Sequence, residues 1–175
     1  MQPGGVQLDL SAVAKGYGVD RLAFYLKSQG VQHYLVEVGG ELRGAGLKPD
    51  GQPWWVVLEQ VPGADGAEAA DELVLALHGL SVATSGDYRR YFERDGRRYS
   101  HTIDPRNGVP IANDLASVTV VHPQCMAADA WSTALTVLGA EQGLRLAERL
   151  GLAARFVARS GAEHLSTHLR NMLDE

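Results

Sequence analysis

The sequence has few of the features that by themselves point to a class of function: it has one cysteine, no long apolar run and no excess of positive charge. The chain of 175 residues contains a single cysteine, Cys125, so one chain can form neither a disulfide framework nor a cysteine-based zinc site. No apolar run approaches the ~20 residues that a membrane-spanning helix needs. The formal net charge of -5 makes nucleic acid and anionic membranes unfavourable default partners.

What is present is typical of one globular domain. Hydrophobic residues make up 45% of the chain and charged residues 21%, and no linker composition divides residues 1–175. Short strand patterns alternate with hairpin turns and with paired helices. This order predicts an α+β fold with a largely antiparallel sheet packed against helices.

Local signals place the main elements. A helix follows Ser11 and ends near Gly30, and two apolar helices, 124–138 and 141–150, are separated by Gly139. Asp95-Gly96 predicts a hairpin turn between strands. The remaining predicted strands are 33–38, 41–45, 54–59, 73–77, 81–84, 116–122 and 154–158, with surface loops at 61–72 and 105–113 and a weakly patterned tail.

Asp129 is the most informative residue. Between Leu115 and Ala140 it is the only charged side chain, and it lies on a helix that is apolar all round and therefore expected to be buried. Thr133, four residues later, shares its helical face. A carboxylate and a hydroxyl together suit Mg²⁺, whereas the alternative is that Asp129 caps or hydrogen-bonds a neighbouring backbone.

A polar segment, His101 to Gly108, follows a predicted strand. His101 has the chemistry of a general base or of a residue that orients a substrate. The alternative is a histidine at a strand end that satisfies a buried carbonyl group. The residues themselves do not decide between these two interpretations.

Glycine-containing segments provide weaker signals of ligand binding. Lys15 and Gly16 lie near the start of the first helix, where free N–H groups favour phosphate, although a solvated lysine beside a packing glycine fits equally. Gly39-Gly40 and Ser85-Gly86 each follow a strand, and either pair allows a close ligand approach or a simple tight turn.

The order of these segments is more specific than any one of them. Five segments resemble motifs of the ApbE family of flavin transferases, which move FMN from FAD onto a protein threonine. Two correspond to family patterns: DLSAVAKGYGVD (9–20) to "DLSGIAKGYAVD" and VEVGGELR (36–43) to "VNIGGDIR". The other three are ATSGDY (83–88), HTIDPRNG (101–108) and ADAWSTA (128–134).

The resemblance implies a fold related to the T-fold and a set of site residues. Asp129, Thr133 and the Ala12 carbonyl would bind Mg²⁺. FAD would be the substrate, bound near Lys15, Gly16, Gly39, Gly40, Ser85, Gly86, His101, Thr102 and Ile103. His101 and Asp129 would be catalytic, with His101 activating the acceptor threonine.

The implied reaction transfers FMN from FAD to a threonine hydroxyl of an acceptor flavoprotein and releases AMP. Family members normally have more than a hundred residues before the first motif, so we expect this chain to be the C-terminal part of such an enzyme, active only with its missing half supplied. Two alternatives are an FAD pyrophosphatase that gives FMN and AMP, and a truncated non-catalytic module that binds nucleotide or a partner or self-associates through an uncovered sheet.

Two smaller expectations concern recognition and location. Glu37 and Glu41 replace residues usual in the family's glycine-pair segment, which puts the details of adenosine recognition in doubt. No leader is evident at Met1 to Gly5, so the sequence by itself predicts a cytoplasmic protein or a missing natural N-terminus. The resemblance instead implies a periplasmic or inner-membrane-attached protein.

Overall fold

A six-stranded antiparallel sheet forms the centre of the computed structural model, which describes residues 4–5, 8–58, 73–88 and 91–173. Its spatial order is β1-β2-β5-β10-β11-β12, and each neighbouring pair runs antiparallel. These strands are Tyr34–Val38 (β1), Glu41–Ala45 (β2), Ser81–Gly86 (β5), Leu115–His122 (β10), Ala153–Ala158 (β11) and Glu163–Leu165 (β12).

Three two-stranded hairpins and three helices complete the described structure. The hairpins pair Trp54–Val57 (β3) with Val74–Leu77 (β4), Tyr91–Arg94 (β6) with Arg97–Ser100 (β7), and Ile103–Asp104 (β8) with Val109–Pro110 (β9). The helices are Ala14–Ser28 (α1), Cys125–Leu150 (α2) and Thr167–Leu173 (α3). None of the helices in the described ranges is long and apolar enough to cross a bilayer.

The central strands alternate between two cores. On one face, Ala83, Val120 and Ala154 pack with Ala128 and Leu135 of α2. On the other, their neighbours Val82, Val121 and Ala153 pack with Leu77 of β4 and Leu169 of α3. Because both faces are covered, β10 is almost continuously buried, including its two hydroxyl residues Ser117 and Thr119.

The predicted α+β class is confirmed, with a mostly antiparallel sheet packed against helices. The Asp95-Gly96 turn is confirmed by positive φ values at both residues, as the tight hairpin turn requires. Gly139 interrupts α2 with φ 79° and ψ 171°, so the two expected helices form one element with a kink.

Three local expectations need revision or stay open. The segment expected to be a loop after Pro105 contains β9, because Gly108 with φ 73° turns the chain back so that Val109 pairs with Asp104. The tail contains β12 and α3, which had too few residues to show a period. The expected loop at 61–72 and the end of the strand at Glu59 lie outside the described residues.

Candidate active site

A cavity of about 780 Å³ lies where several chain segments meet. The segment leading into α1, the β1–β2 turn, the end of β5, the segment after β7, and α2 each contribute to its wall. Of the residues expected from the sequence, it brings together Ala12, Lys15, Gly39, Gly40, Ser85, Gly86, His101, Thr102, Ile103, Asp129 and Thr133.

Gly16 is placed differently from the other expected residues. It is buried, its backbone N–H donates to Oδ2 of Asp129 at 3.0 Å, and it does not line the cavity. A Cβ built on Gly16 would lie 2.4 Å from the Cys125 carbonyl oxygen, because α1 crosses α2 at this point. The structure therefore gives Gly16 a packing role, and its proximity to a pyrophosphate stays a prediction.

Helix α2 presents two oxygen-bearing side chains to the cavity. Asp129 is only 2% exposed yet borders the cavity. Thr133 Oγ1 lies 2.8 Å from Ser85 Oγ, which also lies 2.8 Å from Ser132 Oγ. This hydroxyl chain ties α2 to the end of β5 and orients Thr133 one turn from Asp129.

Asp20, which sequence reasoning did not single out, fixes where α2 begins. Its carboxylate accepts the backbone N–H groups of Cys125 at 3.0 Å and Met126 at 2.9 Å, and it also pairs with Arg43. The first N–H groups of a helix have no partner within the helix, and the helix dipole favours an anion there. A carboxylate from α1 thus caps α2, whose own N-cap residue Gln124 makes no side-chain cap.

The turn between β1 and β2 carries both predicted glycines. Gly39 has φ 62° and Gly40 φ 98°, values that favour glycine. The aliphatic stem of Lys15 lies against this turn, since a Cβ on Gly39 would lie 3.1 Å from Lys15 Cδ. The lysine and the turn therefore form one wall of the cavity.

Lys15 forms an ion pair with Glu41, a partner that the sequence did not suggest. Glu41 is 1% exposed, and its Oε2 atom has no hydrogen-bond partner in the described part of the chain. Burial raises the pKa of Glu41, the hydrogen bond from Lys15 opposes this effect, and the charge of Asp129 adds to it. Lys15 thus presents to the cavity a positive charge that Glu41 partly neutralises.

His101 is exposed to the cavity directly after β7. On one side the Ser100 hydroxyl accepts the Thr102 N–H at 3.2 Å, and on the other the Ile111 N–H donates to the Thr102 carbonyl at 3.0 Å. Further along, Arg106 holds Asp104 by hydrogen bonds of 2.7 to 3.1 Å, and these bonds lower the pKa of Asp104. Hydrogen bonds to Ser100 and Ile111, and those between Arg106 and Asp104, therefore hold the loop that carries His101.

The donor atoms near Asp129 fit a hard cation. The described residues contain no cluster of three or more His, Cys, Asp or Glu that would suit a zinc-like site. The Asp129 carboxylate, the Thr133 hydroxyl and the Ala12 backbone instead border one cavity. Mg²⁺ is usually held by one or two carboxylates with several waters and substrate phosphates, so this oxygen-only set suits it.

The family model for the ApbE family matches residues 1–156. The chain belongs to the ApbE family. An FAD:protein FMN transferase from Vibrio cholerae is 50% identical over 141 residues, which is 81% of this ApbE chain and 41% of the relative. A second transferase of that name, from Haemophilus influenzae, is 46% identical over 155 residues, which is 89% of the chain and 44% of the relative.

Solved ApbE structures share the fold. The apo form of Pseudomonas stutzeri flavinyl transferase ApbE superposes with a TM-score of 0.84 at 48% identity, covering 97% of this ApbE chain and 52% of the other. An ApbE protein from Thermotoga maritima gives a TM-score of 0.81 at 35% identity, covering 98% and 55%. The chain thus spans about half the length of the relatives it matches.

Proposed function

We propose that this chain takes part in the transfer of FMN from FAD to a threonine hydroxyl of an acceptor protein, with release of AMP. In this proposal the chain supplies the magnesium and pyrophosphate part of the site. The observation that carries it is the placement of a buried carboxylate, Asp129, at a cavity that all five ApbE-like segments border. The names of the relatives indicate the reaction.

Each side chain has a defined task in this proposal. Asp129, Thr133 and the Ala12 carbonyl would hold Mg²⁺, which supplies neutralising charge to the pyrophosphate. Lys15 would orient a phosphate oxygen, while the backbone of Gly39-Gly40 lets the nucleotide approach closely. These groups bind and orient FAD and leave proton transfer to His101.

The chemical step is a substitution at phosphorus. The threonine oxygen attacks the phosphorus on the FMN side and forms a new P–O bond, and the bond to the AMP phosphate breaks. His101 accepts the threonine proton, and AMP leaves with the electron pair of the broken bond. If water takes the place of threonine, the same step yields FMN and AMP.

The test is an incubation of the chain with FAD, Mg²⁺ and an acceptor protein that carries a threonine motif. Covalent flavin on the acceptor, read by in-gel fluorescence and mass spectrometry, together with AMP, supports transfer. AMP without covalent flavin identifies an FAD pyrophosphatase. The same incubation is repeated with the protein encoded by the complete gene. Neither product from that folded protein would overturn the proposal and leave a non-catalytic binding module.

Asp129→Asn tests the magnesium assignment, because it keeps the side-chain shape and removes the charge. We expect it to lower Mg²⁺-dependent turnover ~100-fold or more, the scale of losing one group that stabilises transition-state charge. Calorimetric titration with Mg²⁺ should show weaker binding. Asp50→Asn, an exposed change outside the cavity, is the matched control, and equal turnover in the two variants would contradict the assignment.

Two further proposals follow from the family resemblance alone. We place the reaction in the periplasm or at the inner membrane, and fractionation of cells that express the complete gene tests this location. Self-association was expected through an uncovered sheet, but both faces of the central strands are covered, so it would have to use another surface. It is tested by sedimentation velocity over a range of concentrations. A concentration-independent monomer would remove that proposal.

A further inference from the structure

A buried carboxylate, Asp87, joins two arginines at the end of β5. It is 4% exposed. The Nη2 atom of Arg159, which follows β11, lies 2.6 Å from both carboxylate oxygens. Nη2 of Arg98 donates to the Asp87 backbone carbonyl and lies 3.8 Å from Oδ1 of the same residue.

Arg98 belongs to β7, three residues before His101. The hairpin around it is internally stiff, because the Arg98 guanidinium lies 3.7 Å from the centre of the Tyr91 ring and the rings of Phe92 and Tyr99 stack at 5.2 Å. We therefore expect a displacement of Arg98 to be passed on, in part, to the strand that leads directly to His101.

We propose that Asp87 and Arg159 are positioning residues for His101, an inference that rests on the proposed function. Arg159 neutralises the Asp87 carboxylate. Arg98 then donates a hydrogen bond to the Asp87 backbone carbonyl, and this hydrogen bond sets the position of β7. Arg159 lies beyond the residues that the family model matches, so the motif segments gave no reason to assign it a role.

The size of the effect follows from the distances. Without Arg159, the buried carboxylate has Arg98 as the cation beside it and draws that arginine from 3.8 Å to the ~2.8 Å of a charge-assisted hydrogen bond. The guanidinium of Arg98 therefore moves by about 1 Å, and we expect part of this movement to reach His101, three residues further along the chain. A 1 Å misplacement of a catalytic group costs ~100-fold in rate.

The decisive variant is Arg159→Ala, made in the protein encoded by the complete gene and assayed with FAD, Mg²⁺ and the acceptor protein. We expect kcat to fall ~10- to 100-fold while KM for FAD changes less than ~2-fold, because His101 moves and the pyrophosphate contacts do not. Histidine-selective NMR of the chain without FAD should show a shifted His101 resonance. Arg145→Ala, which removes an exposed arginine paired with Glu141, is the matched control.

Two rescue variants separate positioning from stability. Arg159→Lys should restore kcat, because a single nitrogen of Arg159 makes both contacts with Asp87. The double variant Asp87→Asn with Arg159→Ala should also restore it, because a neutral amide no longer draws Arg98 off the carbonyl. Both variants avoid an unpaired buried charge and therefore keep the test available if Arg159→Ala does not fold.

The outcomes distinguish this inference from the proposed function. An unshifted His101 resonance in folded Arg159→Ala, or rescue variants that refold without recovering kcat, would overturn the positioning role. If the unaltered protein encoded by the complete gene turns over no FAD, the proposed function fails, and the His101 resonance then decides by itself whether Asp87 and Arg159 set the position of that residue.

Discussion

Replacing Gly16 by alanine is expected to destabilise the protein even though alanine is the better helix former. In an exposed helix interior, glycine to alanine gains ~1 kcal/mol. At Gly16, however, the new Cβ would lie 2.4 Å from the Cys125 carbonyl oxygen and 2.7 Å from Met126 Cα. Both are backbone atoms of α2, so no side chain can rotate away.

The cost can be worked out from that geometry. A carbon and an oxygen need ~3.4 Å, so α1 must withdraw from α2 by about 1 Å, and overpacking of this kind costs ~1–3 kcal/mol. The withdrawal also weakens the 3.0 Å hydrogen bond from the Gly16 N–H to Asp129, a bond to a charged group worth ~1.5–3 kcal/mol. After the gain in helix propensity, we expect a net loss of ~2–4 kcal/mol.

Gly18→Ala is the matched control in the same helix. Its Cβ would meet no atom within 4 Å, so alanine there should gain up to ~1 kcal/mol. Thermal melts should place the melting temperature of Gly16→Ala ~4–16 °C below the unaltered chain and that of Gly18→Ala above it, and urea denaturation should give the same order of stability. Equal melting temperatures for the two variants would refute the close crossing of α1 and α2.

Three other predictions follow from the structure. Burial raises the pKa of the Cys125 thiol to about 12, so iodoacetamide should label it slowly at neutral pH in the folded chain and rapidly in denaturant, and fast native labelling would contradict this. Because the pKa of Glu41 is raised above its ordinary 4.5, its contribution to stability is present below that pH and is lost as pH rises through the folded pKa. Glu41→Gln should therefore show a flatter stability profile than the unaltered chain from pH 4.5 upward, and parallel profiles would argue against it. Phe156→Ala removes a ring that is 0% exposed and should cost ~3–5 kcal/mol in denaturant titrations, whereas a loss below ~1 kcal/mol would mean the core is packed differently.

Helices and strands were predictable from the sequence wherever a pattern of neighbouring residues marked them. The pattern at 116–122 predicted a strand, found as β10, and Gly139 predicted the break within α2. The i, i+4 spacing of Asp129 and Thr133 predicted that both would reach one place, and both border the cavity. The hydrogen bond that Asp129 accepts from the Gly16 N–H is the backbone contact of the alternative interpretation, and the magnesium assignment stays a prediction.

The sequence did not predict the contacts between residues that lie far apart along the chain, nor the short elements that depend on such contacts. Lys15 was expected to be a point charge for phosphate, but the sequence did not indicate that Glu41 would pair with it. The short α3 and β12 were missed because seven and three residues hold too few repeats to show a period. These elements are ordered by the sheet and the core on which they pack.

The sequence by itself determined the fold class, the family and the residue types at the candidate site, because these depend on local periodicity and on the order of short motifs. Only the tertiary structure decided that Asp20 caps α2 and that Asp87 lies between Arg98 and Arg159. Asp20 is 105 positions from Cys125, and Asp87 is 72 from Arg159. A carboxylate takes a distant partner only after the chain has folded, because burial makes an unpaired charge costly and no local pattern encodes which donor will be near.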